Sequence, residues 1–462
     1  MDKIYAGSRL KQLRQERGLN QAELAQALGL SASYVNQIEH DVRPVTVPVL
    51  LKVTEVFGID PTFVSRDSNS RLIGEVREVL TDPEIRLDPG RVEEMIRVAA
   101  DHPALAHVLV DLHTRLRNVR EAEVFSGHSN AAPQALPHEE VRDFFYAHRN
   151  YFDSIDTACE QIACEMGHSG MPGGLADRLT DRLFHHGITT TVAPQPTGFL
   201  HRFDRATNQI ILTAGLSEGQ RAFRLAAELA LVELSGLVND QLDSHHFSAP
   251  GARPLALKGL ASYAAAATIM PYRDFLARAD GCGYDIEQLE AMTGLNYETV
   301  AHRLSTLQRP GREGVPFTFV RVDRAGNMSK RQSATGLHLG RAGGTCPLWN
   351  VYKTFTNPGE IMRQFTRMPD GGSYLWISRT VRHHRSSFAE PGKIFAVGLG
   401  CEARHAHRTV YATGLDFTDP AAATPIGPGC RTCSRTDCSQ RAFPAVGQTI
   451  TVDPHTSRVA PY

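Results

Sequence analysis

The sequence predicts a multidomain chain: an all-α helix-turn-helix N-terminal domain, a mostly helical α+β middle domain and an α+β C-terminal domain. Three observations predict it. The first sixty residues hold four short helical patterns punctuated by glycine, residues 138–305 keep a helical period of apolar residues, and after Gly311 the period falls to two, that of strands. At 462 residues, 42% hydrophobic and 21% charged, the chain is long enough for several cores and ordinary in composition. The segments so read are 1–66, a helical stretch over 67–120 suited to dimerisation, a linker over 121–137, then 138–305 and 306–462. No apolar run approaches the ~20 residues of a membrane span, and Met1 to Lys11 is polar. A cytoplasmic chain with reduced thiols is expected, so its eight cysteines read as metal ligands or core residues before disulfides.

The N-terminal helices follow from caps and spacing. Leu10, Leu13 and Arg17 share one face of a first helix that stops at Gly18. Asn20 caps a second helix, and Glu23 three residues on completes a capping box. Leu24, Ala25 and Leu28 form its apolar stripe, and Gly29 makes the turn. Ser31 caps a third helix, Ala32 to about Glu39, whose outer face shows Ser33, Asn36 and Gln37. Pro48 opens a fourth, with Leu50, Leu51, Val53 and Phe57 for the core.

A helix, a glycine turn and a helix with small and amide side chains make a helix-turn-helix. Amides and hydroxyls on its second helix can reach base edges in the major groove, and Gln21 can hold a phosphate. The candidate double-stranded DNA (operator) surface is Gln21, Ser31, Ser33, Tyr34, Asn36, Gln37 and Arg43. The stretch "NQAELAQALGLSASYVNQIE" resembles the Cro/repressor-type (XRE) family. That family often pairs an Arg of its first helix with a Glu ending the recognition helix, and Arg14 and Glu39 match. Residues 1–64 hold seven basic and seven acidic residues, so non-specific phosphate attraction is modest and dimerisation is left to raise affinity. The competing reading is a small helical interaction module of the toxin–antitoxin kind.

From Ser70 to Arg120 the pattern is helical again, and "EVFSGHSNAAPQALPHEE" is polar and Pro-bearing, as a linker would be. In the middle domain "QRAFRLAAELALVELSGL" is an amphipathic helix with Phe223, Ala227, Ala230, Leu231 and Leu234 along one side. It resembles the metal-binding helix of zinc-dependent ImmA/IrrE-type peptidases, which carry His-Glu-x-x-His there. The two His positions fall on Ala227 and Leu231, and the third-ligand position, in "LASYAAAATIMPYRDF", falls on Leu260. An i,i+4 His pair is what sets two imidazoles on one zinc, so a peptidase scaffold without peptidase chemistry is expected, and no enzyme. Glu228 reads as a helix-surface carboxylate. His185-His186 and His245-His246 read as solvated, since neighbours on a helix do not face each other. Cys159, Cys164 and Cys282 read as buried or half-buried thiols.

Charge divides the chain. Residues 301–462 hold 21 Lys+Arg against 10 Asp+Glu, whereas the first 300 hold 28 against 40, which points to an anionic ligand at the back or a solvated basic surface. "PFTFVRVDRAGNMSKR" reads as a strand over Phe317–Val322, a Gly-Asn turn and a return strand. "SYLWISRTVR" and "KIFAVGLGCEARHAHRTVYATGL" add strands, and Pro347 and Trp349 mark a loop entering a helix. Near the end, "CRTCSRTDC" spaces three cysteines as C-x2-C-x4-C beside arginines.

"AHRLSTLQRPGREGVPFTFVRVDRAGNMSKRQSA", "GGTCPLWNVY", "MPDGGSYLWISR", "GLGCE" and "PIGPGCRTCSRTDCSQRAFP" resemble the short-chain fatty acyl transcriptional regulators of actinobacteria, which include propionate (methylcitrate-cycle) and acetate/glyoxylate regulators. The resemblance spans nearly the whole chain, with departures such as Gln332 and Leu337. It implies a homo-oligomeric DNA-binding regulator, dimer or tetramer, that senses an acyl-CoA ester and carries an iron–sulfur cluster. Arg and Lys suit the phosphates of coenzyme A, and Arg321, Arg324, Lys330, Arg331, Arg341 and Arg379 are at hand, with Trp349 and Tyr352 to stack or bury an acyl chain. Each arginine also reads as ordinary surface. A 4Fe–4S cluster needs four thiolates; Cys430, Cys433 and Cys438 supply three, Cys401 is taken as the fourth, and Cys346 is its rival. A structural zinc on four thiolates is the alternative.

Overall fold

A computed structural model describes residues 10–57, 67–126, 137–168, 173–193, 199–335, 337, 345–382, 392–444 and 455–456, less residues 12, 15–18, 40–41, 44, 81, 83–84 and 86–88. The chain divides into two compact units, residues 1–113 with 446–448, and the remainder.

In the N-terminal unit residues 10, 11, 13 and 14 are helical, followed by α1 (Gln21–Leu28), α2 (Ala32–Glu39) and α3 (Val47–Phe57). The expected capping box is present: Asn20 Oδ1 accepts from Glu23 N at 2.9 Å, and Glu23 Oε2 accepts from Asn20 N at 2.7 Å. Gly29 ends α1 at φ 61°, left-handed backbone that glycine adopts without penalty. Leu10, Leu13, Leu24, Leu28, Val35, Ile38, Val45, Val49 and Val53 form the core. The inner row of α3 thus differs from expectation: Val49 and Val53 are buried, while Leu50 and Phe57 are half-buried and Leu51's side chain lies outside the described residues. Val45 enters the core ahead of the helix and sets the phase in which the i,i+4 pair 49/53 points inward. Farther on, α4 (Asp67–Leu80), α5 (Pro89–Asp101) and the start of α6 (Pro103–Ser126) share a second core of Leu72, Val76, Leu80, Val92, Ile96, Ala99 and Ala106. The helix α6 continues through residues 121–126 of the expected linker, because Glu121, Ala122 and Glu123 are helix formers and the polar, Pro-bearing composition begins only after them.

The second unit begins with helices. In order come α7 (Pro137–Ala147), α8 (Asp153–Glu165), α9 (Leu175–His185), β1 (Thr189–Ala193), β2 (His201–Asp204) and β3 (Gln209–Thr213). Then follow α10 (Glu218–Glu233), α11 (Ser235–Asp243), α12 (Ala252–Ile269), α13 (Tyr272–Gly281), α14 (Ile286–Thr293) and α15 (Tyr297–Leu304). The small sheet runs β1-β3-β2, with β1 parallel and β2 antiparallel to β3. Next come β4 (Thr318–Val322), β5 (Met328–Ser333), the single turn α16 (Asn350–Lys353), β6 (Met362–Arg367), β7 (Ser373–Arg382), β8 (Ile394–Glu402), the short α17 (Ala403–Ala406) and β9 (Thr424–Pro425). They form a six-stranded sheet in the order β5-β4-β8-β7-β6-β9, antiparallel except for β6 with β9. The run after "GLGCE", expected to hold further strand, turns helical at Ala403.

Strand periodicity explains how this sheet is used. Phe317, Phe319, Leu375, Ile377, Val397, Leu399 and Cys401 belong to the core shared with the helices. Val320, Val322, Trp376 and Ala396, one residue out of step, belong to a separate core with Trp349, Val351 and Cys346. Gly400 makes the second face possible, since a Cβ there would meet the Trp376 ring at 2.7 Å.

The boundary read at 305/306 is therefore a boundary in sequence and not in space. Arg303 at the end of α15 is fully buried, donating to both oxygens of buried Asp156 on α8 at 2.7 and 3.1 Å and to the Met270 carbonyl at 3.1 Å. Tyr263 donates to the same carboxylate at 2.7 Å. Across the junction Tyr146 donates to the Thr335 carbonyl at 2.9 Å, and Arg309 to Glu160 at 3.0 Å.

Candidate functional site

The first candidate site is the helix pair α1–α2. Ser33 and Asn36 are exposed and Gln37 is half-buried, on the face of α2 opposite buried Val35 and Ile38. What holds that face is Glu39, only 5% exposed. Arg14 Nε donates to its Oε1 at 2.6 Å and a terminal nitrogen donates to Oε2 at 3.0 Å, the expected pair in forked form. Gln21 Nε2 donates to the same Oε2 at 2.7 Å and to Asn36 Oδ1 at 3.3 Å. The side chain read as a phosphate holder thus also ties the two helices together. Burial alone would raise the Glu39 carboxyl, but Arg14 and Gln21 more than offset it, and its pKa lies below the ordinary carboxylate value. Ser31 Oγ accepts from Tyr34 N at 3.2 Å, and Arg43 lies over the Tyr34 ring at 5.5 Å. The Gln21 clamp leaves no signal in spacing, since it depends on where the first helix crosses.

At the former peptidase position, α10 buries Ala222, Leu225, Ala226, Leu229 and Ala230. Of the side expected to be buried, Ala230 and Leu234 are buried, whereas Phe223, Ala227 and Leu231 are half-buried, Phe223 and Ala227 packing against the same core. Leu260 on α12 is fully buried. Glu228 is no free surface carboxylate: His201 of β2 lies against it, Nε2 to Oε1 2.8 Å, with both side chains largely covered. Among the described residues no three His, Cys, Asp or Glu side chains meet closely enough to hold a metal ion. His185 and His186 are exposed, with His186 against Glu233 at 2.8 Å. His245 instead packs with Phe144 and Phe247, and burial lowers its pKa. Cys159 is buried and Cys282 half-buried as expected, but Cys164 is exposed, because α8 turns Ile155, Cys159, Ile162 and Ala163 inward.

In the C-terminal domain the candidate effector residues separate by strand parity. Arg321 and Arg379 face the helices: Arg321 donates to Glu298 of α15 at 2.7 Å, and Arg379 to Glu290 of α14 at 2.7 Å. An arriving phosphate would compete with those carboxylates. Lys330 lies over the Phe319 ring, and burial pushes its ammonium down to about 8. Arg324 is exposed at the hairpin tip, Arg331 is half-buried, and Arg341 lies outside the described residues. Trp349 is buried edge-on against Trp376, ring centres 4.5 Å apart, with half-buried Tyr352 beside it. Neither buried indole N–H has a hydrogen-bond partner among the described residues.

The second candidate site is a small cavity, about 10 Å³, lined by Cys346, Cys430, Cys433 and Cys438, with Gly427, Arg435 and Arg441. Cys401 is not among them. Its parity on β8 is that of Val397 and Leu399, so its thiol is buried in the core toward the helices, where burial pushes its pKa up to about 12. Cys346, on the segment that carries Trp349, lines the cavity instead. The ladder period of two held that signal, but only once the facing side of the sheet was known. Arg441, 4% exposed, donates to the carbonyls of Cys430 at 2.8 Å and Cys433 at 3.0 Å, and also to that of Arg435. Ala442 N donates to Cys430 Sγ at 3.5 Å. Gly427 leaves the space that Cys433 fills, for a Cβ there would stand 2.6 Å from its sulfur. Arg431 points away, over the Phe443 ring at 5.5 Å. Four thiols, a nearby buried guanidinium and an N–H aimed at a sulfur fit an anionic thiolate-bound group.

Comparison with known proteins adds three domain matches: the short-chain fatty acyl coenzyme A regulator C-terminal domain at residues 306–462, the IrrE N-terminal-like domain at 185–305 and a helix-turn-helix at 10–64. The chain is 52% identical to the HTH-type transcriptional regulator RamB of Mycobacterium tuberculosis (strain ATCC 25618 / H37Rv), over 100% of this chain and 99% of that one. It is 43% identical to the HTH-type transcriptional regulator PrpR of the same strain, over 100% and 96%. It is 39% identical to the propionyl-CoA carboxylase regulator of Cereibacter sphaeroides, over 100% and 98%. A solved structure of a Mycobacterium tuberculosis transcriptional regulator superposes with a TM-score of 0.68 at 44% identity, covering 71% of this chain and 99% of that one.

Proposed function

We propose, from the premise that this chain belongs to the short-chain fatty acyl-CoA regulators, that it reads an operator through α2 and answers to an acyl-CoA ester through its C-terminal domain. At the coarser level it is a DNA-binding transcriptional regulator of short-chain fatty acid metabolism. The observation that carries the reading is the outward row of exposed Ser33 and Asn36 and half-buried Gln37, on a helix clamped from behind by Arg14, Gln21 and Glu39. A rigid helix presenting amides is what base-edge recognition requires. An operator on chromosomal DNA implies work in the cytoplasm as a dimer or tetramer on paired half-sites. Peptidase chemistry would need ligands where Ala227, Leu231 and Leu260 stand, and nothing supports it.

The cysteine-lined cavity supports a 4Fe–4S cluster on Cys346, Cys430, Cys433 and Cys438, with Arg435 and Arg441 offsetting its negative charge. A single zinc, about 2.3 Å from each sulfur, would need the four thiolates to converge on one point. Among the described residues no three of these thiols meet closely enough to do so.

Two experiments test the reading. Gel shifts with promoter fragments of short-chain fatty acid genes should show binding that Asn36→Ala or Gln37→Ala weakens by about 1–3 kcal/mol; wild-type protein that prefers no fragment overturns it. Anaerobic preparations should hold about four irons and four sulfides per chain, lost in Cys346→Ser and Cys433→Ser and retained in Cys401→Ala. One zinc per chain, colourless, would make the site a structural staple.

A further inference from the structure

The helical half of the N-terminal unit leaves apolar surface uncovered. On α6, Ala106, Leu109 and Val110 pack into the core with α4 and α5, but Leu105, Val108 and Leu112 are 61, 55 and 58% exposed. At 3.6 residues per turn these three fall within an arc of about 60°. On α5, Met95 and Val98 are also exposed, beside buried Ile96 and Ala99.

We propose that the Leu105–Val108–Leu112 row of α6, with Met95 and Val98, pairs with the same face of a second copy across a two-fold axis. Three observations favour that occupant. First, these side chains expose roughly 450 Å² of apolar surface, so two copies would bury about 900 Å² of it, and with a polar rim the total reaches the range of a stable dimer. Second, the exposed rim carries both signs, Arg91, Glu94, Arg97 and Asp111, so a self-paired patch does not meet a wall of like charge. Third, the face belongs to the same compact unit as α2. One α2 reads half a site, and residues 1–64, with seven charges of each sign, have little attraction for phosphate to compensate. Only this third point rests on the operator reading.

The test is the mass of the full-length chain by sedimentation, without DNA. Wild type should run as two chains or an even multiple. Leu112→Glu should weaken association at least ~100-fold, because a carboxylate is buried unpaired at the contact. Val108→Lys should do the same, and mixing Leu112→Glu with Leu112→Lys should restore the pair. Both sites are exposed, so circular dichroism should be unchanged, and Phe184→Glu, an exposed apolar control in the other unit, should leave the mass unaltered. A wild-type chain that stays single at about 50 µM, or a Leu112→Glu/Val108→Lys double variant that keeps the wild-type mass, overturns the proposal. A dimer lost in Leu112→Glu from a protein that binds no operator would instead keep this interface and refute the DNA reading.

Discussion

Replacing Glu39 with Ala probes the recognition helix without touching its outer face. The carboxylate is almost wholly covered and holds Arg14 by two hydrogen bonds and Gln21 by a third. Cutting one partner from a buried pair costs about 3–5 kcal/mol when the other is left enclosed. Arg14 keeps 13% exposure and its bond to the Leu19 carbonyl at 3.1 Å, which places this case at or just below the low end, about 2–3 kcal/mol. A loss of that size should speed amide hydrogen exchange over residues 10–57 by roughly 30- to 150-fold in the full-length protein. Glu39→Gln keeps an acceptor without the charge and should fall between. The pair also fixes a sign with pH. Because the Glu39 carboxyl lies below its ordinary value when folded, its contribution is complete above about pH 5 and fades as pH falls through the folded value. Exchange in Glu39→Ala within fivefold of wild type at pH 7 would refute the clamp.

The remaining predictions concern the second unit. Asp156→Ala leaves Arg303 charged and enclosed, and chemical denaturation should show a loss of about 3–5 kcal/mol; an Asp156→Leu/Arg303→Met pair should recover most of it. Gly400→Ala drives a methyl into the Trp376 ring and should cost about 1–3 kcal/mol, with altered tryptophan fluorescence as the second readout. Lys330, held near 8 when folded, destabilises the fold where it must stay charged. Stability should therefore rise between about pH 8 and 10, and Lys330→Met should flatten that rise. An unchanged slope would show that the ammonium is hydrated.

Local chemistry made the helices readable before any coordinates. The Asn20/Glu23 capping box, the Gly29 turn and the Ser31 start define α1 and α2 residue by residue, because caps and turns act over three or four positions. Alternation exposed β4, β7 and β8, and the resemblance to the ImmA/IrrE-type helix marked 227 and 231 as positions without the expected histidines. Which side of an element meets its neighbour is another matter. On α10 the expected row holds Ala230 and Leu234, which are buried, but the centre of the buried face lies at Ala222, Leu225, Ala226 and Leu229. The strand β8 is buried on both faces, so nothing local says which neighbour Cys401 meets, and only the packing of helices on one face and Trp349 on the other sends it away from the cysteine cavity and brings Cys346 in. Arg321 and Arg379 were legible as cations but not as partners of Glu298 and Glu290, since those ion pairs join residues 23 and 89 positions apart. The sequence by itself determined the elements, the emptied peptidase motif and the family. Tertiary structure decided the faces, which fourth cysteine lines the cavity and the fusion of the two C-terminal domains into one unit, because burial is a property of what arrives from elsewhere in the chain.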